Sequence, residues 1–225
     1  ENLKGWFTAD GMTYLYNNDL AHFSDHFWAT VDPYRLPGIT VDTTPRADGA
    51  GASKYGTRNW VGGVTLQTNG AAGMDLAPYG STLTGKKSWF MFEDEVVGLG
   101  AGIACSGTAP VETIIENRRL GSSTAALVVD GASQPPLMGW SKTVTNAGWA
   151  ALTNAGGYYF PGGATVKLAR TARKGSWSQI NTGGSTSSHT RNYLTLCFDH
   201  GVQPHAAGYA YVLLPNFSAS QTASY

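Results

Sequence analysis

From about residue 60 onward the chain is cut into short runs of β-forming residues separated by turn chemistry, and this punctuation limits its fold more than any other feature. The runs are "NWVGGVTLQ", "KSWFMFEDEVVGLGAGIAC", "VETIIENRRL", "AALVVDG", "KTVTNAGWAAL", "GGYYFPGG", "ATVKLARTARKGSW", "RNYLTLCFDHG" and "YAYVLLP". No amphipathic helical stretch of comparable strength competes with them, and no repeat of fixed period is present. "TVKLAR" and "YLTLCF" alternate as strands with one buried face do, whereas "YVLLP" and "LVV" read as buried on both. The expectation is an all-β fold, a large antiparallel system of two or more packed sheets. The 29 glycines among 225 residues, with 13% charged and 12% aromatic, fit many tight turns better than a helical bundle. That length suits one large β domain.

Charge excludes some functions. Fifteen basic residues balance fifteen acidic ones, so no net field draws the chain to nucleic acid or to an anionic membrane. Neither is expected as a partner, and a polyanion has to be gripped locally. No run approaches the roughly 20 apolar residues of a membrane-spanning helix, so a soluble protein is expected. Cys105 and Cys197 sit in apolar runs without CxxC spacing or a clustered His. Buried free thiols are expected, with one disulfide as the alternative.

The first 45 residues differ. In "HFSDHFWATVDPYRLPG", Ser24 reads as the N-cap of one short aromatic helix with Asp25 in its first turn, and Pro33 and Pro37 end it. "TPRADGAGASKYGTRNW" and "NTGGSTSSHTR" are Gly/Ala/Ser-rich loops of the kind that carry function. The tail "PNFSASQTASY" reads as weakly structured linker, so both ends look like cuts inside a longer protein.

Several side chains stand out. Trp6, Trp28, Trp60 and Trp89 offer faces on which the CH surface of a sugar can pack. Trp60, at the exit of a Gly-rich loop, is a candidate for a cleft, while core packing is expected of Trp28 and Trp89. Arg191 follows the second loop and could pair in bidentate fashion with a sugar carboxylate. Arg118 and Arg119, adjacent on a strand, point to opposite faces, so one of them is expected to be structural. Asp32 and Asp42 bracket "PYRLPGITV" and could hold calcium through oxygen, although the spacing is not that of a known calcium loop. His22 and His26 share a helix face with no third ligand, which favours packing over metal.

Taken in order, "ENLKGWFTADGMTYLYNNDL", "FWATVDPYRLPGITV", "KSWFMFEDEVVGLGAGI", "ETIIENRR", "GYYFP", "GSWSQIN", "FDHG" and "YAYVLLPN" resemble the central domain of polysaccharide lyase family eight. That family includes hyaluronate, chondroitin AC and xanthan lyases, and the resemblance runs nearly the whole chain. It implies a galactose-mutarotase-like β supersandwich over residues 1–215, with 216–225 leading toward a C-terminal β domain. It also implies an N-terminal α/α toroid in the same parent protein.

By the same resemblance the parent cleaves uronic-acid polysaccharides by β-elimination, taking the C5 proton once the adjacent carboxylate is neutralised. The Asn, His and Tyr of that chemistry would lie upstream of Glu1, so no catalytic residue is expected here and the chain alone should be inactive. Asn2 neighbours the supporting Glu and Asn of such sites and, with Trp6, Trp60 and Arg191, is expected on the substrate side. His200 and Tyr209 are nine apart, as the family's catalytic His and Tyr are, but their surroundings match the sandwich and a structural role is expected. No cofactor is required, and a calcium ion at Asp32 is the one candidate, since some relatives bind one nearby. An anionic polysaccharide as ligand and a secreted location follow. Arg191 inclines the choice toward xanthan over hyaluronan or chondroitin. The alternatives are a carbohydrate-binding β-sandwich that works alone and a purely structural domain.

Overall fold

In the computed structural model, which describes residues 2–17, 19–51 and 54–225, one strand organises the rest. This strand, β10 (Gly156–Gly175), is 20 residues long. Before it come β1 (Thr40–Asp42), β2 (Val61–Leu66), β3 (Asn69–Leu76), β4 (Thr84–Met91), β5 (Val96–Ala104), β6 (Pro110–Arg119), β7 (Leu127–Val129), β8 (Ala132–Ser133) and β9 (Ser141–Leu152). After it come β11 (His189–Val202) and β12 (Ala207–Pro215). These twelve strands among the described residues form one network in the order β1-β6-β11-β10-β12-β5-β4-β3-β2, with β9, β7 and β8 attached along β10. Every ladder is antiparallel. The expected all-β antiparallel class is what the chain adopts.

β10 unites two runs that read as separate strands. Its first residues pair with β12 and its last with β11, while β9 follows both halves through register shifts between Tyr159 and Val166. Pro161-Gly162-Gly163 makes the bend: both glycines have positive φ (75° and 81°), and a Cβ on Gly163 would meet Asn146 Oδ1 at 2.3 Å. The strand can therefore pass from one layer to the next without ending.

Alternation along β6 and β11 divides the interior. Ile115, Leu194, Leu196 and Phe198 face the main core with Tyr158, Phe160, Leu168 and Tyr211, whereas Ile114, Tyr193 and Cys197 face a second core made by the N-terminal segment, including Phe7, Phe27, Leu36 and Ile39. β11 is thus covered on both sides from Tyr193 to Phe198, where its alternation predicted one buried face. The polar Thr195 survives there because its hydroxyl donates to Asn117 Oδ1 (3.0 Å), and Asn117 Nδ2 in turn reaches Arg35 O (2.8 Å). A third core gathers Leu76, Leu83, Ile103, Cys105 and Val111. Both cysteines are free and buried, and burial raises the Cys197 thiol to about 12.

The N-terminal segment carries two very short helices, α1 (Ala21–Ser24) and α2 (Phe27–Thr30), instead of one. Ser24 ends α1 and donates to Leu20 O (3.4 Å) where capping was expected; His26, at φ 55°, breaks the chain between the helices. The tail is folded too. Ser218 caps α3 (Ala219–Ala223) through a capping box with Gln221, and Thr222 packs over Gly157 of β10, where a Cβ would meet its hydroxyl at 2.2 Å. No helix among the described residues is long and apolar enough to cross a membrane.

Candidate functional site

The N-terminal segment, the loop after β1 and the β3–β4 face enclose a cavity of about 770 Å³. Its wall is aromatic: Trp6, Tyr55, Trp60, Tyr79 and Trp89 line it together with Arg46, Lys54, Arg58, Asp10 and Asp75. Trp60 is 61% exposed and lays its ring edge over Gly73 of β3, where a Cβ would come within 3.1 Å of the indole. A side chain at Gly73 would push the indole away, so glycine there keeps room for Trp60 at the cavity wall.

Local chemistry holds the wall in place. Trp6 Nε1 donates to Ala47 O (3.0 Å), and its ring lies against Tyr34 (5.3 Å between centroids) and Phe7 (6.0 Å). The Tyr34 hydroxyl accepts the Arg46 N–H at 2.6 Å, Arg46 Nη1 donates to Tyr79 O (2.8 Å), and its guanidinium lies over Phe7 at 5.6 Å. Lys54 Nζ sits 5.8 Å above the Tyr79 ring. Aromatic faces and fixed cations therefore alternate around the rim.

Beneath them, Lys87 of β4 is fully buried. Its ammonium donates to Gly38 O (2.5 Å) and Asp10 O (3.1 Å) and lies 5.4 Å from the Trp89 ring. Desolvation is the main effect on both groups of this pair, and it lowers Lys87 and raises Asp10, each to about 7, against their mutual attraction. Asp10 Oδ2 has no partner among the described residues. Gly11 has φ +88°, and a Cβ there would meet Trp89 at 2.8 Å, so the turn that presents Asp10 to the cavity needs glycine.

A second cavity of about 610 Å³ lies on the other side of Trp6, walled by Trp28, Trp177, Asn2 and Asn181. Trp28 and Trp89, expected in the core, are both half-buried and each lines a cavity as well as packing inward.

The other residues singled out from the sequence lie elsewhere. Arg191 Nε and Nη2 grip the Asp25 carboxylate at 2.8 and 2.5 Å, so its bidentate partner is within the chain. That pairing holds Asp25 below the usual carboxylate range and Arg191 above its ordinary value. Asp32 accepts the Tyr34 N–H (3.1 Å) and faces Arg173 (3.9 Å), and Asp42 binds Ser81 and Arg46. Donors of the chain thus reach both carboxylates, and no group of three or more His, Cys, Asp or Glu placed to hold a metal occurs among the described residues.

Arg118 and Arg119 both turn inward: Arg118 to Glu116 (2.8 Å), which also accepts from the Tyr158 hydroxyl, and Arg119 to Asp19 (3.5 Å) and Asp25 (3.3 Å). His200, near the end of β11, meets Thr113 Oγ1 (2.9 Å), and Tyr209 of β12 stacks on both Phe198 and Tyr211 (5.8 Å between centroids in each case). Burial lowers His200 and raises Tyr209 well above the ordinary tyrosine value, which disfavours a phenolate base.

The profile of the polysaccharide lyase family 8 super-sandwich domain matches residues 1–225. The chain belongs to polysaccharide lyase family 8. A hyaluronate lyase of Thermasporomyces composti is 45% identical over 225 residues, covering 99% of this chain and 29% of the relative. A xanthan lyase of Bacillus sp. (strain GL1) is 47% identical over 234 residues, 100% of this chain and 25% of the relative. Among solved structures, Paenibacillus xanthan lyase superimposes with TM-score 0.94 at 51% identity, covering 100% of this chain and 22% of the other. A Streptomyces coelicolor A3 chondroitin AC lyase gives TM-score 0.84 at 42% identity, with 100% and 29% covered. The chain thus spans less than a third of each relative. Its fold is the super-sandwich of family 8, and its two Trp-walled cavities lie on that scaffold.

Proposed function

We propose that this family 8 domain is the central domain of a secreted polysaccharide lyase and forms one wall of the cleft that holds an anionic polysaccharide during β-elimination. One observation carries the reading: the 770 Å³ cavity in which exposed Trp60 stands among Trp6, Tyr55 and Tyr79, ringed by Arg46, Lys54 and Arg58. Indole faces accept the CH surface of a pyranose, and the cations suit uronate carboxylates. The groups that abstract the C5 proton and neutralise the carboxylate lie on an N-terminal α/α toroid of the parent protein, and a C-terminal β domain follows. The relatives are named for hyaluronan, chondroitin and xanthan, and a uronate-bearing polymer is the substrate class that unites them. Such a polymer is degraded outside the cell, which is the basis for secretion. Arg191 is not part of this wall, because it reaches a sugar only by releasing Asp25.

The test is turnover. The isolated chain should yield no unsaturated uronate from hyaluronan, chondroitin sulfate or xanthan, while in the parent enzyme Trp60→Ala should lower kcat/KM by about tenfold, the worth of one stacked ring. Product release by the isolated chain, or full activity of the Trp60→Ala enzyme, overturns the reading. A carbohydrate-binding sandwich acting alone would use the same cavity, and it predicts tight binding of a polysaccharide by this chain without any parent domain.

A further inference from the structure

The two cavities share Trp6, Thr8, Tyr14, Ala50 and Gly51 but differ in charge. The first has Asp10, Arg46, Lys54, Arg58 and Asp75 on its wall; the second has no charged side chain among the described residues that line it. From this difference we infer that Trp6 is a divider: the second cavity is a subsite for an uncharged sugar ring, beside the first, which takes the acidic sugar. The inference rests on the proposed polysaccharide-binding role and adds the order of the sugars along the wall.

Three features make the second cavity a built site. Its volume of about 610 Å³ lies within the ~300–1,000 Å³ range of ligand pockets. Its aromatic walls are locked, since Trp177 Nε1 donates to His26 Nδ1 (3.0 Å), whose ring stacks on His189 at 3.5 Å, and Trp6 Nε1 is tied to Ala47 O. Its polar groups are oriented as well. Asn2 Oδ1 accepts the Lys4 N–H (2.9 Å) and Asn181 Oδ1 the Gly183 N–H (3.2 Å), which leaves each side-chain NH2 as the group offered to a ligand. Two oriented amides on a wall shared with Trp6, Trp28 and Trp177 match hydroxyl or ring oxygens. A carboxylate entering here would give up water and meet no cation among the described lining residues, a cost that an uncharged ring escapes.

The discriminating experiment is an NMR titration of the 225-residue chain, followed at the indole N–H and side-chain amide signals, with cellobiose as the uncharged probe and glucuronic acid as the acidic one. Cellobiose should shift the signals of Trp28, Trp177, Asn2 and Asn181, while glucuronic acid should shift those of Trp60 and Trp89. Asn181→Ala and Trp177→Phe should each weaken cellobiose by about fivefold and leave the glucuronic acid response unchanged, with melting curves confirming the fold. Cellobiose confined to the first cavity, glucuronic acid shifting the second cavity equally, or no response there at saturating cellobiose would each overturn the inference. Failure of the lyase reading shows separately, in the turnover assay of the isolated chain and its parent.

Discussion

His22 is wholly buried, with its ring between Phe23 (4.2 Å) and Phe27 (5.0 Å), and its Nδ1 accepts the backbone N–H of Arg119 at 3.1 Å. Burial first, then the charges of Arg118 and Arg119, push its pKa down to about 2. The unfolded chain takes up this proton near the ordinary value of 6.5, whereas the folded chain refuses it until about 2. The stability is therefore intact above pH 6.5 and is lost progressively as pH falls below it, reaching about 2 kcal/mol at pH 5. Urea titrations at pH 7 and pH 5 should show that His22→Gln, which keeps an acceptor, loses about 2 kcal/mol less than the wild type. Equal losses would remove His22 from the account. Residues differ in how much of this is visible beforehand. Trp60 stands out in the sequence because it leaves a Gly-rich loop, and Trp6 because the family resemblance puts its segment on the substrate side; both line the first cavity. The partner of Arg191 was not legible, since Asp25 lies 166 positions away and only the fold brings them together.

At the level of elements, strong β-formers announced themselves and weak ones did not. β3, "NGAAGMDL", is missing from the runs read off the sequence because Gly and Ala carry little strand preference; it forms because β2 and β4 pair with it on either side. The helix α3 was hidden in a Ser- and Ala-rich tail, although Ser218 and Gln221 already spell a capping box. Ser218→Ala should lower stability by about 1 kcal/mol in chemical denaturation, since Ser218 Oγ accepts the Gln221 N–H (3.2 Å) and the helix seats Thr222 on β10. A change near zero would mean that packing alone holds the helix.

At the scale of the molecule, stability is distributed unevenly. Val61–Leu66 is exposed along its whole length at the edge of the network, whereas β11 pairs on both sides and lies between two cores. Amide exchange should therefore be fastest in β2 and slowest from Tyr193 to Phe198, and comparable protection in β2 would contradict this gradient. The same arrangement explains the site. The edge hairpin and the N-terminal segment carry Trp60 and Trp6 to the cavity, while the doubly covered strands behind them stay rigid. The sequence by itself indicated the all-β antiparallel class, the free buried thiols and two of the aromatic residues of the wall, Trp6 and Trp60, whereas Tyr55, Tyr79 and Trp89 joined them only in the fold; strand preference, turn residues and burial tendency are local properties. Only the tertiary structure decided that β10 is one bent strand, that Arg191 belongs to Asp25, and that charges gather on one side of Trp6 and not the other. Those depend on which distant segments are brought within a few ångströms, and such contacts are set by the packing of the whole sheet.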